Sequence, residues 1–364
     1  MIISDVTASL EQLAPLSYQE SYDNAGLLIG NPENLLKGIL VTLDVTPEVI
    51  EEAHEKGLNL IVAHHPLIFN GVKKITGKNY VERAIIQAIK NDIAVYAAHT
   101  NLDNIEGGVN SRIGALLNLT NLKFLQPLEG ELVKLVTFVP TNDAERVRQV
   151  MFEAGAGHIG NYDYCSFNMN GDGTFRAGEG TNPYVGNKGE FHVEPEVRIE
   201  VVVPKSIISR VIREMISSHP YEEVAYDIYP ILNSFSKAGS GMIGELKEPM
   251  PELDFLKSVK NIFNIQSVRH TNCLGKNIQK VAFCGGSGAF LIKQAIAAGA
   301  DIFISSDIKY HQFFDAENRI LIADIGHFES EQFTVDIFYE YLLKKFPKFA
   351  ILKSEIKTNP INYI

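Results

Sequence analysis

The sequence predicts an α/β protein: a mostly parallel sheet flanked by helices, with a smaller α+β domain inserted into it. Three observations predict this. Short continuous apolar runs alternate with amphipathic stretches at both ends of the chain, as strands buried on both faces alternate with helices. A middle region of different texture, rich in Gly and Asn, separates the two ends. Several of the apolar runs also stop in polar groups, where an open parallel sheet places its ligands.

Taken in order, "GILVTLDV" is a strand. "TPEVIEEAHEKG" is a helix with Thr46 as N-cap, Pro47 in its first position and Gly57 past its end. "NLIVAHH" is a strand, "NYVERAIIQAIKND" an amphipathic helix, and "IAVYAAH" a further strand. These make residues 1–126 the first part of an α/β domain. From 127 to 244, "LVKLVTFVP", "DAERVRQVMFEAG", a Gly-rich stretch expected as long hairpin loops, "VRIEVVVP", "KSIISRVIREMISSHP" and "EEVAYDIYPI" follow. They give a β-α-β(β)-β-α-β order, roughly ferredoxin-like. Residues 245–364 return to βα texture in "KVAFCGGSGAFLIKQAIAAG", "ADIFISSDIKYH" and "RILIADIGHFESEQFTVDIFYEYLLKKF", so the first domain resumes.

Bulk properties narrow the function. At 364 residues the chain suits two domains, and 45% hydrophobic with 21% charged residues is a globular composition. A net charge of −11 argues against a broad nucleic-acid-binding face. The N-terminal "MIISDVTASLEQLAPLS" lacks the apolar run of a secretory signal, and no stretch is long enough to span a bilayer. Three widely spaced cysteines form neither a disulfide framework nor a thiolate metal site. A cytoplasmic protein is the expectation.

The polar strand ends carry the chemistry. "NLIVA" ends in His64 and His65, and "IAVYAA" in His99 with Asp103 four residues on. "DIFISS" ends in Asp307 with His311 four residues on, and "ILIADIG" in His327 with Glu331 four residues on. Imidazole and carboxylate without thiolate suit a divalent ion: zinc, manganese, iron or nickel. The candidates exceed what one four-ligand site needs, and two ions bridged by a carboxylate fit. His99, Asp307 and His311 are candidates for proton transfer or for contact with substrate. "CGGSG" at 284–288 offers either an anion-holding turn or a plain tight turn. Asp23 and Asn24 read as local turn capping.

With these residues in view the sequence resembles the Nif-three-like dinuclear metal proteins, also called GTP cyclohydrolase type two homologs. The resemblance rests on "YDNAGLLIG" at 22–30, "VAHHPLIF" at 62–69, "AAHTNLDN" at 97–104, "SSDIKYH" at 305–311 and "DIGHFESEQF" at 324–333. Tyr22 stands where many members carry Trp. The resemblance implies His64, His65, Asp103, His327 and Glu331 as ligands of two divalent ions, with Asp103 as the bridge. It implies a PII/CutA-like insert, a toroidal hexamer, and hydrolysis of a nucleotide-like substrate, with GTP ring opening the specific guess. The alternative is a non-catalytic metal-binding or regulatory protein that uses the insert for sensing or interaction.

Overall fold

A computed structural model describes all residues from 1 to 364. The chain divides into two compact units. Residues 1–126 and 237–364 form the first, and residues 127–236 the second. The return to the first unit thus comes before residue 244, the limit drawn from sequence. Residues 237–244 fall inside one long strand rather than in a linker.

In chain order the strands are β1 (Gly26–Ile29), β2 (Gly38–Thr42), β3 (Leu60–Ala63), β4 (Ala94–Ala97), β5 (Thr120–Leu128), β6 (Leu132–Pro140), β7 (Phe167–Arg176), β8 (Phe191–Pro204), β9 (Tyr226–Pro230), β10 (Phe235–Pro251), β11 (Arg269–His270), β12 (Asn277–Ser287), β13 (Ile302–Ser306), β14 (Leu321–Asp324) and β15 (Ala350–Lys353). The first unit holds two mixed sheets, where the sequence suggested one. One sheet has the order β1-β4-β3-β2-β15, the other β11-β14-β13-β12-β10-β5. Each has a parallel centre: β15, β2, β3 and β4 in the first, and β12, β13 and β14 in the second. Antiparallel strands close edges, β1 on β4 and β11 on β14. The sequence missed the split because both sheets consist of the same short apolar runs.

Every residue of β2, β3, β4, β13 and β14 is buried, so these runs lack the alternation of a half-wet strand. The helix Pro47–Glu55 starts as expected, with the Thr46 hydroxyl accepting from the Val49 N–H. It buries Val49, Ile50 and Ala53 in the same core as Leu40, Ile61 and Val95. The helix Tyr80–Lys90, capped by the Asn79 side chain, adds Ala84, Ile85 and Ala88 to it.

The second unit is a four-stranded sheet of order β7-β8-β6-β9, antiparallel in every pairing, with the helices Ala144–Glu153 and Ile208–Ser218. Leu135, Val139, Ile199 and Val201 meet Val147, Met151, Val211 and Met215 in a separate core. Residues 177–190 form the long hairpin loop expected from the Gly/Asn-rich stretch, but residues 167–176 are strand and pair with β8 along their whole length. Glycine weakens a strand, but it does not prevent the backbone pairing that β8 offers here.

Candidate metal centre

The centre is built where β3, β4 and β14 end. His64 and His65 directly follow β3. Asp103 closes the short helix Thr100–Asp103 after β4, and His327 opens the short helix His327–Glu331 after β14. Two sheets, rather than one sheet edge, therefore supply the donors. His64 Nε2 lies 3.6 Å from Asp103 Oδ1 and 3.7 Å from Glu331 Oε1. On the other side of the same carboxylate, Glu331 Oε2 lies 2.9 Å from His65 Nε2 and 3.0 Å from His327 Nε2. The two imidazole nitrogens are themselves 3.2 Å apart. The five candidate ligands thus fall into two groups that share Glu331. The resemblance gave the shared position to Asp103, but Asp103 is grouped only with His64 and Glu331.

Each imidazole is held from behind. The His64 Nδ1–H donates to the carbonyl of Ala98 (2.9 Å), so Nε2 is its unprotonated nitrogen when the ring is neutral. Carboxylates accept from the Nδ1 atoms of the other three: Asp44 from His65 (2.7 Å), Asp307 from His327 (2.6 Å) and Asp23 from His99 (2.8 Å). Such partners fix the tautomer and raise the basicity of the ligating nitrogen. Asp23 is fixed in turn by the Thr100 backbone N–H and hydroxyl.

Burial and pairing set the charges. Burial opposes protonation of His65, but hydrogen bonds to Asp44 and Glu331 outweigh it and raise its pKa to about 9. The same balance, with Asp307 and Glu331 as partners, raises His327 to about 11. Burial and then the neighbouring Glu331 charge push Asp103 up to about 8. Glu331 is held well below the ordinary carboxylate value, because three imidazoles outweigh its burial. Asp23 is lowered to about 2; hydrogen bonds from His99 and Thr100 overcome its desolvation.

The donor set fits a metal ion on two counts. His64 Nε2 and Asp103 Oδ1 are buried without a hydrogen-bond partner, a condition that costs about 1–3 kcal/mol per atom unless something binds there. Tetrahedral bonds of about 2.0–2.1 Å put ligand atoms about 3.3 Å apart, and the separations above bracket that spacing. The buried His/Glu cluster can therefore bind a metal ion. His99 belongs to the same cluster: its candidate ligand atom lies within 4.8 Å of those of His64 and His65.

The other sequence candidates divide. Asp307 stands behind His327 as its hydrogen-bond acceptor. His311 does not reach the centre. Asp307 adopts a left-handed φ of 55°, Ile308 buries in the core, and the chain continues into the 3-10 helix Tyr310–Ala316, where His311 stacks on Phe314 and meets Tyr310 edge-on. In "CGGSG" the amides of Gly285, Gly286 and Gly288 are already used within the fold, donating to Asn110, Ser330 and Ser305. Asp23, expected only to cap a turn, orients His99, and Asp44 was not singled out at all. The signal for Asp44 was present, since it closely follows β2 just as His64 follows β3.

The centre opens into a cavity of about 560 Å³ lined by Tyr22, Phe69, Phe290 and Phe328 and, from the tail of the chain, Asn359 and Ile361. The tail is tied down beside it: Thr358 donates to Asp44 (2.6 Å) and Asn359 to Glu329 (3.2 Å). Fold and centre together define an α/β protein with a buried imidazole–carboxylate site able to hold a metal ion. The chain belongs to the Duf34/NIF3 (NGG1p interacting factor 3) family, whose model matches residues 1–360. It is 40% identical over 359 residues to the GTP cyclohydrolase 1 type 2 homolog of Halalkalibacterium halodurans, covering 97% of this chain and 96% of that protein. The Bacillus subtilis protein of the same name is 40% identical over 364 residues, with the same coverage. The solved Bacillus cereus protein related to NIF3 superposes with a TM-score of 0.88 at 38% identity, covering 100% of this chain and 99% of that one. A Staphylococcus aureus structure gives 0.78 at 31%, with the same coverage. No helix is long and apolar enough to cross a membrane.

Proposed function

We propose that the chain is a hydrolase that uses two divalent ions and acts on a nucleotide-like substrate. The observation that carries this is the division of the donors about Glu331, with one oxygen toward His64 and Asp103 and the other toward His65 and His327. His64, Asp103 and Glu331 would hold one ion, and His65, His327 and Glu331 the other. Ions held there would supply Lewis acidity, polarising a bound electrophile and acidifying a bound water. His99 faces the same cavity with its Nδ1 committed to Asp23, which leaves its other nitrogen to carry a proton to or from substrate. Asp44 and Asp307 keep the ligand rings aimed. The aromatic side chains around the opening suit a stacked heterocycle, and the name shared by the relatives points to a guanine nucleotide.

On the same reading the protein is cytoplasmic, assembles as a hexamer, and carries a ferredoxin-like insert of the PII/CutA kind. The strand order of the second unit supports the last point. The test is a screen of protein loaded with zinc or manganese against GTP, other nucleotides, phosphodiesters and pterin precursors. We expect metal-dependent turnover of a nucleotide that is lost in Glu331→Gln. Failure to turn over any of them would favour a non-catalytic, metal-binding regulator.

A further inference from the structure

The second unit contains a cavity of its own, of about 640 Å³, within the range of small-molecule sites. Its floor is the face of the sheet turned away from the two helices. Phe138 and Met169 both register with Arg198, and Gly171 with Glu196, so these residues share that face. Two loops cover the floor, one through Thr181–Tyr184 and one through Tyr221–Glu223. They are joined where the Asn182 N–H donates to Glu222 (2.9 Å). Rings form the walls: Tyr221 has its centroid 6.2 Å from that of Phe175 and 6.3 Å from that of Tyr184.

The charges facing this space are mostly negative. Glu196 is buried in the floor, and one of its oxygens accepts the Tyr221 hydroxyl (2.8 Å). Glu222 and Glu223 add two further carboxylates. Against them stands Arg198, which is already committed: it donates to Glu200 (2.9 Å) and lies 5.8 Å from the Phe138 centroid. An enclosure of aromatic faces with excess carboxylate attracts a cation that has an apolar body. Bound anions would meet uncompensated negative charge. The floor is also left open, because a Cβ at Gly171 would meet nothing within 4 Å.

We propose that this cavity is a second ligand site, independent of the metal centre, for a small organic cation: an ammonium group carried on an aromatic or apolar body. The ammonium would sit against Glu196 and the Tyr221 ring, and the body against Phe175 and Tyr184.

Calorimetric titration of the full chain with benzyltrimethylammonium tests this. That probe has no lone pair on nitrogen, so it cannot ligate an ion in the other unit. Benzyl alcohol is the neutral control and benzoate the anionic one. Saturable millimolar or tighter binding of the ammonium, and at least about tenfold weaker binding of both controls, is the expected result; tenfold corresponds to about 1.4 kcal/mol. Gly171→Leu should abolish binding by filling open space while leaving the melting temperature and metal content unchanged. Glu196→Gln should weaken it about tenfold. Equal binding of all three compounds, no binding of the ammonium, or unaltered binding to a folded Gly171→Leu protein would each overturn the proposal.

Discussion

Gly286 and Glu331 are matched in space: a Cβ at position 286 would run into Oε1 of Glu331. Gly286 also holds a left-handed φ of 61°, and its N–H donates to the Ser330 hydroxyl (3.0 Å), one residue before Glu331. Gly286→Ala should therefore do two things. It should cost about 1–2 kcal/mol through the backbone conformation alone. It should also push the Glu331 carboxylate off its position and lower bound metal severalfold. Gly275→Ala separates the two effects, since Gly275 has a φ of 74° but nothing within 4 Å of the added Cβ. Thermal melts together with elemental analysis of both variants give the answer. Equal metal content in the two would show that Glu331 tolerates the intrusion.

Glu331 and Asp103 should not be equivalent. Only Glu331 faces both groups of imidazoles, so Glu331→Gln should bring bound metal close to zero. Asp103→Asn leaves His65, His327 and Glu331 intact and should keep about half of the ions of a two-metal site. His311→Ala should change neither. Metal-to-protein ratios after reloading decide the matter, and equal losses at 103 and 331 would return the bridging role to Asp103.

The pH dependence follows from the raised pKa values of His65, about 9, and His327, about 11. When no ion is bound, these rings hold protons where an ion would sit, and Asp103, at about 8, holds another. Ligands must lose those protons to bind metal. Affinity should therefore keep rising from pH 6.5 to 9 instead of levelling off above the ordinary histidine value of about 6.5. Without metal the sign reverses. The two histidines favour the folded state fully below about 6.5, and that contribution is lost as pH rises through 9 toward 11. Zinc titrations at pH 7.5 in buffers of different ionisation enthalpy count the protons released. A count near zero would mean the rings are already neutral.

The inserted unit should be dispensable for the centre. β5 enters it and β10 leaves it, and these two strands are neighbours in one sheet, about 4.8 Å apart. A short Gly/Ser linker in place of residues 129–234 has only that gap to span, and loop closure costs little. The shortened chain should fold and bind metal as the full chain does, by circular dichroism and elemental analysis. A folded product that holds no metal would place a missing ligand in the second unit.

Much of the centre was legible because its chemistry sits at strand ends. Buried runs such as Leu60–Ala63 and Leu321–Asp324 announce themselves by continuous hydrophobicity, and the polar residues just past them stand out. The number of sheets was not legible, since pairing partners leave no mark on an apolar run. The inward turn of His327 and the outward turn of His311 depend on backbone angles at Gly326 (φ 89°) and Asp307 (φ 55°). Asp44 carries no sequence mark of its own beyond its place after β2, because a lone acid after a strand resembles an ordinary helix approach. Only its contact with His65 distinguishes it.

The contact between His65 and Glu331 joins residues 266 apart in sequence. Contacts of such separation form late, because a long loop must close before anything rewards its closure. Neither end of the chain can assemble the centre alone, and the sheet carrying His65 and the one carrying Glu331 must both be in place first. An ion captured by this pair is therefore a signature of finished folding. Its uptake during refolding should trail the recovery of secondary structure, and nascent or truncated chains should remain unable to sequester the cell's metal.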